Sequence, residues 1–169
     1  MKRTIAFNKP FVTQSDQKFI DQVFKKKKFS DDNFQKKCEK FIKRRINSNF
    51  IALTQSCTSA LEIIMLLIKL KKDDEVIMPS YTFTSTANAV ILRGAKPVFV
   101  DVNPDDINLN PRLVEKKINK KTKAIIVVHY AGISCDMSYF LKLKKKYGIF
   151  LIEDAAHSFM GKYKNQYLG

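Results

Sequence analysis

The 169-residue sequence predicts an α/β fold in which a mostly parallel β-sheet is covered by helices on both faces. Three observations predict it. Short, largely apolar runs of strand length recur at Glu75–Met78, Pro97–Val100, Ala124–Val128 and Ile149–Ile152, without the polar alternation of a half-solvated strand. Stretches with helical spacing separate these runs. Glycine, proline or acidic residues mark the junctions.

Taken in order, Thr13 or Ser15 can cap a first helix running toward Lys28, with Phe19, Ile20, Val23 and Phe24 on one face. A second helix begins near Asp31 and carries Phe34, Cys38, Phe41 and Ile42 at helical spacing. Phe50–Leu53 is a candidate strand. The polar turn Thr54–Ser56 then leads into a helix from about Thr58 to Lys71. Pro79 stops the strand Glu75–Met78, and Thr84–Leu92 reads as a helix ended by Gly94. After Pro97–Val100 comes Asp101. Asn110 and Pro111 open a further helix as N-cap and first residue. Tyr139–Tyr147 is a lysine-edged helix closed by Gly148, and Glu153 and Asp154 stand at the end of the strand Ile149–Ile152. Residues Gly161–Gly169 read as extended and turn-rich. The chain thus divides into a helical segment over residues 1–50 and a sheet region over 51–169.

Composition excludes several classes. Apolar residues make up 45% of the chain, ordinary for a soluble globular protein. The longest purely apolar run, Ile63–Ile68, is far too short to span a bilayer. Lys2 and Arg3 are followed by no apolar stretch of the kind a signal peptide needs. Cys38, Cys57 and Cys135 form no CxxC pair and no metal-like cluster with the two histidines; the odd, scattered set fits reduced thiols in the cytoplasm. The net charge of +15 would suit a nucleic-acid binder. Lysine supplies nearly all of the excess, however, in helical clusters at Lys25–Lys28, Lys69–Lys72 and Lys142–Lys146. With no zinc-finger, RNP or homeodomain pattern beside them, these read as solvated helix faces. Neither a nucleic acid, a membrane nor a metal is expected as partner.

Ligands of parallel sheets bind beyond the carboxyl ends of the strands. That rule points to Pro79–Phe83, His129-Tyr130 and Asp154–His157. Ser56-Cys57-Thr58-Ser59 precedes an apolar helix, where free backbone N–H groups and the helix dipole favour a phosphate; the same residues also suit ordinary N-capping. Asp154 could hold a protonated pyridine nitrogen, as pyridoxal-phosphate (PLP) enzymes require, or cap the next turn, or ligate a metal. The aromatics of Pro79–Thr84 could stack on a flat ring or pack in a core. His129 and His157 follow strands, a position where lone histidines are more often structural than catalytic. The order is the informative part: phosphate loop, aromatic turn, acid at a strand end.

That order, and the strings that carry it, resemble the DegT/DnrJ/EryC1/StrS aminotransferases. The strings are Thr-Gln-Ser-Cys-Thr-Ser-Ala-Leu (54–61), Asp-Glu-Val-Ile-Met-Pro-Ser-Tyr-Thr-Phe (74–83), Arg-Gly-Ala-Lys-Pro-Val-Phe-Val-Asp-Val (93–102), Val-His-Tyr-Ala-Gly (128–132) and Ile-Glu-Asp-Ala-Ala-His (152–157). The Ser-Cys-Thr and His-Tyr-Ala-Gly variants look most like the branch that makes dTDP-4-amino-4,6-dideoxygalactose. The resemblance implies a type I aminotransferase large domain, a homodimer and PLP as cofactor. It also implies site residues. Thr58 and Ser59 would bind the cofactor phosphate, Phe83 would stack on the pyridine ring, Asp154 would pair with the ring nitrogen, and His157 would sit near the phenolic oxygen. Asp154 and His157 would be the catalytic pair on this chain. A reactive-thiol role for Cys57 is set aside, because relatives use small residues there for closeness to phosphate.

The implied reaction moves an amino group from L-glutamate to C4 of a 4-keto-6-deoxy nucleotide sugar, in nucleotide-sugar biosynthesis of the kind that feeds lipopolysaccharide and other glycans. In the family, the Schiff-base lysine follows an aromatic-Ser-aromatic strand that would lie past Gly169, as would the small C-terminal domain. The expectation is a truncated large domain with an exposed sheet edge, inactive by itself. Relatives also carry glycines where this chain has the glycine-free stretch Lys25–Asp32. Two other readings stay open at this point: a non-catalytic PLP- or nucleotide-sugar-binding remnant, and a basic nucleic-acid-binding domain.

Overall fold

A computed structural model describes residues 9–27, 29 and 33–169. The expectations for Lys2, Arg3, Lys28 and Asp31, and part of the glycine-free stretch, lie outside the described residues. The chain divides into two compact units at Lys40/Phe41, inside the second helix.

In the first unit, helix α1 spans Gln14–Lys26. Thr13 is its N-cap. The Asp16 amide donates to Thr13 Oγ1 at 3.3 Å, and the Thr13 amide donates to Asp16 Oδ2 at 2.7 Å, so two orphan donors are satisfied reciprocally. Helix α2 spans Asn33–Ile46. Phe34, in its first turn, meets Phe19 of α1 edge-on at 5.9 Å.

The second unit contains helices α3 (Cys57–Leu67), α4 (Thr84–Ile91), α5 (Pro111–Lys117) and α6 (Met137–Tyr147). Strands β1 (Glu75–Pro79), β2 (Lys96–Val100), β3 (Thr122–Val128) and β4 (Phe150–Asp154) form one sheet in the order β2-β1-β3-β4, every pair parallel. A small antiparallel hairpin, β5 (Lys162–Tyr163) and β6 (Gln166–Tyr167), ends the described chain.

Successive residues of a strand point to opposite faces, and this sheet buries both. Val76, Met78, Ala124 and Ile126 pack with Leu61 and Met65 of α3 and with Ala89 and Val90 of α4. Their neighbours Ile77, Ile125 and Val127 pack with Val114 of α5 and with Phe140 and Leu143 of α6. Continuous apolar runs are what a two-sided parallel sheet demands. All four carboxyl ends of the strands therefore open on one edge of the unit.

The structure moves several expected boundaries. Phe50–Leu53 forms no strand; Phe50 is 90% exposed, and among the described residues no strand pairs with the segment. A four-residue apolar run becomes a strand only where a sheet edge accepts it. Helix α3 stops at Leu67 rather than near Lys71, because Lys69 turns left-handed at φ 53° and Leu70 folds back into the core, its amide donating to the Met65 carbonyl at 3.0 Å. Helix α6 starts two residues early, since Asp136 caps it by accepting from the Tyr139 amide. Pro79 ends β1 from inside, opposite Val100. Asp154 is the last residue of β4 rather than the residue after it, opposite Val128. Gly161–Gly169 contains the hairpin, whose turn residues Lys164 and Asn165 are both left-handed (φ 46° and 67°). Among the described residues no helix is long and apolar enough to cross a membrane, and no three His, Cys, Asp or Glu side chains gather as a metal cluster.

Candidate functional site

At the carboxyl ends of the strands lies a cavity of about 490 Å³. One side is the start of α3. Ser56 caps the helix, its Oγ accepting from the Ser59 amide at 3.1 Å. Helix geometry leaves the amides of Cys57 and Thr58 without intrahelical acceptors. Thr58 lines the cavity, and lines as well an adjoining hollow of about 400 Å³ between α3 and α4.

Against it, in contact through Cys57, lies Asp154, only 7% exposed. Its Oδ1 accepts from the Ala156 amide at 3.1 Å and from Cys57 Sγ at 3.5 Å. No protein donor among the described residues reaches Oδ2. Burial, together with the charge and hydrogen bond of Asp154, pushes the Cys57 thiol up to about 11, so it stays protonated and donates.

Aromatic rings form the walls. Phe83, the N-cap residue of α4, is 75% exposed and borders both hollows. Tyr81 and Tyr130 face each other at 5.0 Å between ring centroids, with the Tyr130 hydroxyl 3.3 Å from that of Tyr81. That hydrogen bond, with some desolvation, raises the Tyr130 phenol above its ordinary value. His157 meets Tyr130 edge-on at 5.5 Å, and His157 Nδ1 accepts from the Ala131 amide at 3.4 Å. With Nδ1 as acceptor, the ring proton resides on Nε2. The turn that aims the Ala131 amide is strained: Ala131 has φ 51° and Gly132 φ 83°, and a Cβ on Gly132 would lie 3.3 Å from the His157 carbonyl.

Thr58, Phe83, Asp154 and His157, four of the five candidate site residues, thus share one cavity. Ser59 does not line it, because its amide and its hydroxyl are both engaged with Ser56 Oγ. The cavity also takes in Cys57 and Ala156, which stand inside the candidate phosphate loop and the strand-tip stretch Asp154–His157, and Ser85, which the sequence did not single out. His129 belongs to the framework: it is fully buried, with Nε2 3.0 Å from Glu153 Oε2 and Nδ1 accepting from the Cys135 amide at 3.2 Å.

The chain matches the DegT/DnrJ/EryC1/StrS aminotransferase family over residues 10–169 and belongs to that family. It is 41% identical over 133 residues to an uncharacterized protein of Methanocaldococcus jannaschii, a match covering 79% of this chain and 34% of that protein. Among solved structures it is similar to the aminotransferase from Psychrobacter cryohalolentis, with TM-score 0.91 and 28% identity, over 95% of this chain and 41% of that one. It is also similar to a Streptococcus pneumoniae protein described as a sugar aminotransferase in its PMP form, with TM-score 0.88 and 26% identity, over 98% of this chain and 45% of that one. The chain therefore spans about a third to under a half of the length of these relatives. Its sheet and flanking helices are part of a type I aminotransferase fold.

Proposed function

We propose that these residues form the cofactor-binding part of a PLP-dependent aminotransferase that moves an amino group from L-glutamate to C4 of a 4-keto-6-deoxy nucleotide sugar, of the dTDP-4-amino-4,6-dideoxygalactose type. The observation that carries the reading is the convergence in one cavity of the start of α3, with its unpaired helix amides and Thr58, and a buried carboxylate with an open oxygen. The donor chemistry fits a phosphorylated pyridine, which presents a dianion and a protonated ring nitrogen at opposite ends. A buried carboxylate with one oxygen unpaired calls for a donor from the ligand.

Bound PLP supplies an electron-withdrawing ring that eases removal of a proton from the substrate carbon. The chain's own residues hold and orient it. The amides at the start of α3 and the Thr58 hydroxyl take the phosphate, and Ser59 supports them by fixing the Ser56 cap. Asp154 Oδ2 accepts from the ring nitrogen and keeps a proton there. Phe83 covers one ring face. His157, its proton on Nε2, donates toward the phenolic oxygen. Among the described residues no lysine lines the cavity, so the role of these residues is binding and orientation. The variants Ser-Cys-Thr and His-Tyr-Ala-Gly support the sugar assignment. Exposed Leu66 and Leu67 on α3, with Ile91 of α4 and its C-cap Leu92, support a homodimer, since exposed large apolar side chains gather at association faces.

Titrating the purified chain with PLP, followed by absorbance, tests the reading. Saturable binding is expected, weakened roughly 10- to 100-fold by Asp154→Ala, the loss typical of a charged hydrogen-bond partner. An Asp154→Ala variant that binds PLP as tightly as the parent sinks the cofactor assignment.

A further inference from the structure

The contact between Cys57 and Asp154 joins residues 97 apart in sequence, and it is the one side-chain donor the buried carboxylate has among the described residues. Cys57 stands at the first position of α3, beside the unpaired amides, and Asp154 at the tip of β4. The Ala156 amide and the thiol both address Oδ1, from the chain after β4 and from α3 respectively. A carboxylate held by two donors on one oxygen has its rotation about the Cβ–Cγ bond fixed. Oδ2 is then the carboxylate oxygen left without a protein donor among the described residues. Burial and the neighbouring charge keep the sulfur protonated, which a donor requires and a nucleophile does not.

We propose that Cys57 is a positioning residue: its S–H hydrogen bond to Oδ1, together with the Ala156 amide, turns Oδ2 of Asp154 toward the ring nitrogen of the cofactor. The proposal rests on the PLP reading above and deepens it. It makes the Cys57 side chain neither a catalytic group nor a ligand to the phosphate, and it explains a thiol where a smaller residue would suffice for close approach.

Two measurements test it, one without cofactor. Infrared difference spectra of the wild type against Cys57→Ser isolate the S–H stretch of Cys57, because Cys38 and Cys135 cancel. Asp154→Asn weakens the acceptor, so the band should move to higher wavenumber; an unmoved band overturns the proposal. The second compares PLP with 1-deazapyridoxal 5′-phosphate, which has the same phosphate and ring shape but carries carbon in place of the ring nitrogen. Cys57→Ala should weaken PLP roughly three- to tenfold, the scale of one modest hydrogen bond, and leave the deaza compound unchanged, while Cys57→Ser recovers most of the PLP loss. Equal weakening of both compounds, or of neither, overturns the positioning role. If the wild type binds neither compound, the PLP reading itself fails and takes the cofactor half of the proposal with it, while the infrared result still decides the thiol–carboxylate bond.

Discussion

His129 and Glu153 meet at the tips of β3 and β4 with Nε2 3.0 Å from Oε2, and the partner of the other ring nitrogen decides which proton they share. Because Nδ1 accepts from the Cys135 amide, the proton on Nε2 points at the carboxylate. Glu153 accepts from the Gly169 amide as well, at 3.2 Å. Burial works against the Glu153 charge, but these hydrogen bonds, with the charge of Lys144, outweigh it and hold the carboxyl below its ordinary value of 4.5.

A folded-state value below the unfolded one means that Glu153 stabilises the fold above pH 4.5 and loses that contribution as pH falls below it. Melting temperatures of the wild type and Glu153→Gln should therefore differ most near neutrality and converge as pH drops below that value. A difference that does not change with pH would refute the linkage. His129→Ala, which strands the Cys135 amide and leaves a hole, should cost about 2–4 kcal/mol in urea unfolding at pH 7.

Phe83 separates stability from binding. At 75% exposed it supports no core, so Phe83→Ala should change unfolding free energy by less than about 0.5 kcal/mol. In the proposed stacking role, the same variant should weaken PLP roughly two- to tenfold in an absorbance titration. Unchanged affinity would remove Phe83 from the site.

Two glycines with positive φ make a matched pair. Gly148, at φ 65°, has nothing within 4 Å of an added Cβ, whereas Gly132, at φ 83°, would press one against the His157 carbonyl. Gly148→Ala should cost only the conformational penalty of about 1 kcal/mol. Gly132→Ala should cost more in chemical denaturation, and it should also lower PLP affinity by displacing His157. Equal costs would show that the turn yields freely.

Glu115 ties α5 to α6, accepting from Lys146 Nζ at 2.8 Å, the Tyr139 hydroxyl at 2.6 Å and the Tyr147 hydroxyl at 3.2 Å. The Lys146 bond first, then the Tyr139 bond, draws its carboxyl down to about 2. Its contribution is therefore present above pH 4.5 and fades as pH falls through about 2. Glu115→Gln should lower the melting temperature at pH 7 and have little effect near pH 2, as followed by circular dichroism.

The four strands of the sheet were legible because burial on both faces leaves a continuous apolar signature. Phe50–Leu53 shows the limit of that signature: the same residue types, with no neighbour to pair, stay irregular. The hairpin at the end went unread because its turn is Lys164-Asn165, not the Asn-Gly or Asp-Gly pair that announces two left-handed residues. The early start of α6 depended on Asp136, an ordinary acid until its side chain is seen to accept the Tyr139 amide. For the site, the rule of strand tips located Tyr81, Tyr130, Asp154 and His157 but also selected His129, which turns inward. Whether a side chain at a strand tip faces the crevice or the core depends on pleat parity, and short runs leave parity open. The link from Cys57 to Asp154 was invisible for a different reason: nothing local couples residues so far apart.

That separation has a consequence for how the cavity comes into being. The start of α3 and the tip of β4 are brought together only after three successive crossovers have laid β1, β3 and β4 side by side. Contacts that span so much chain form late, since each demands that a large loop be closed first. Cys57 and Asp154, 97 residues apart, can meet only once the whole sheet between them is wound.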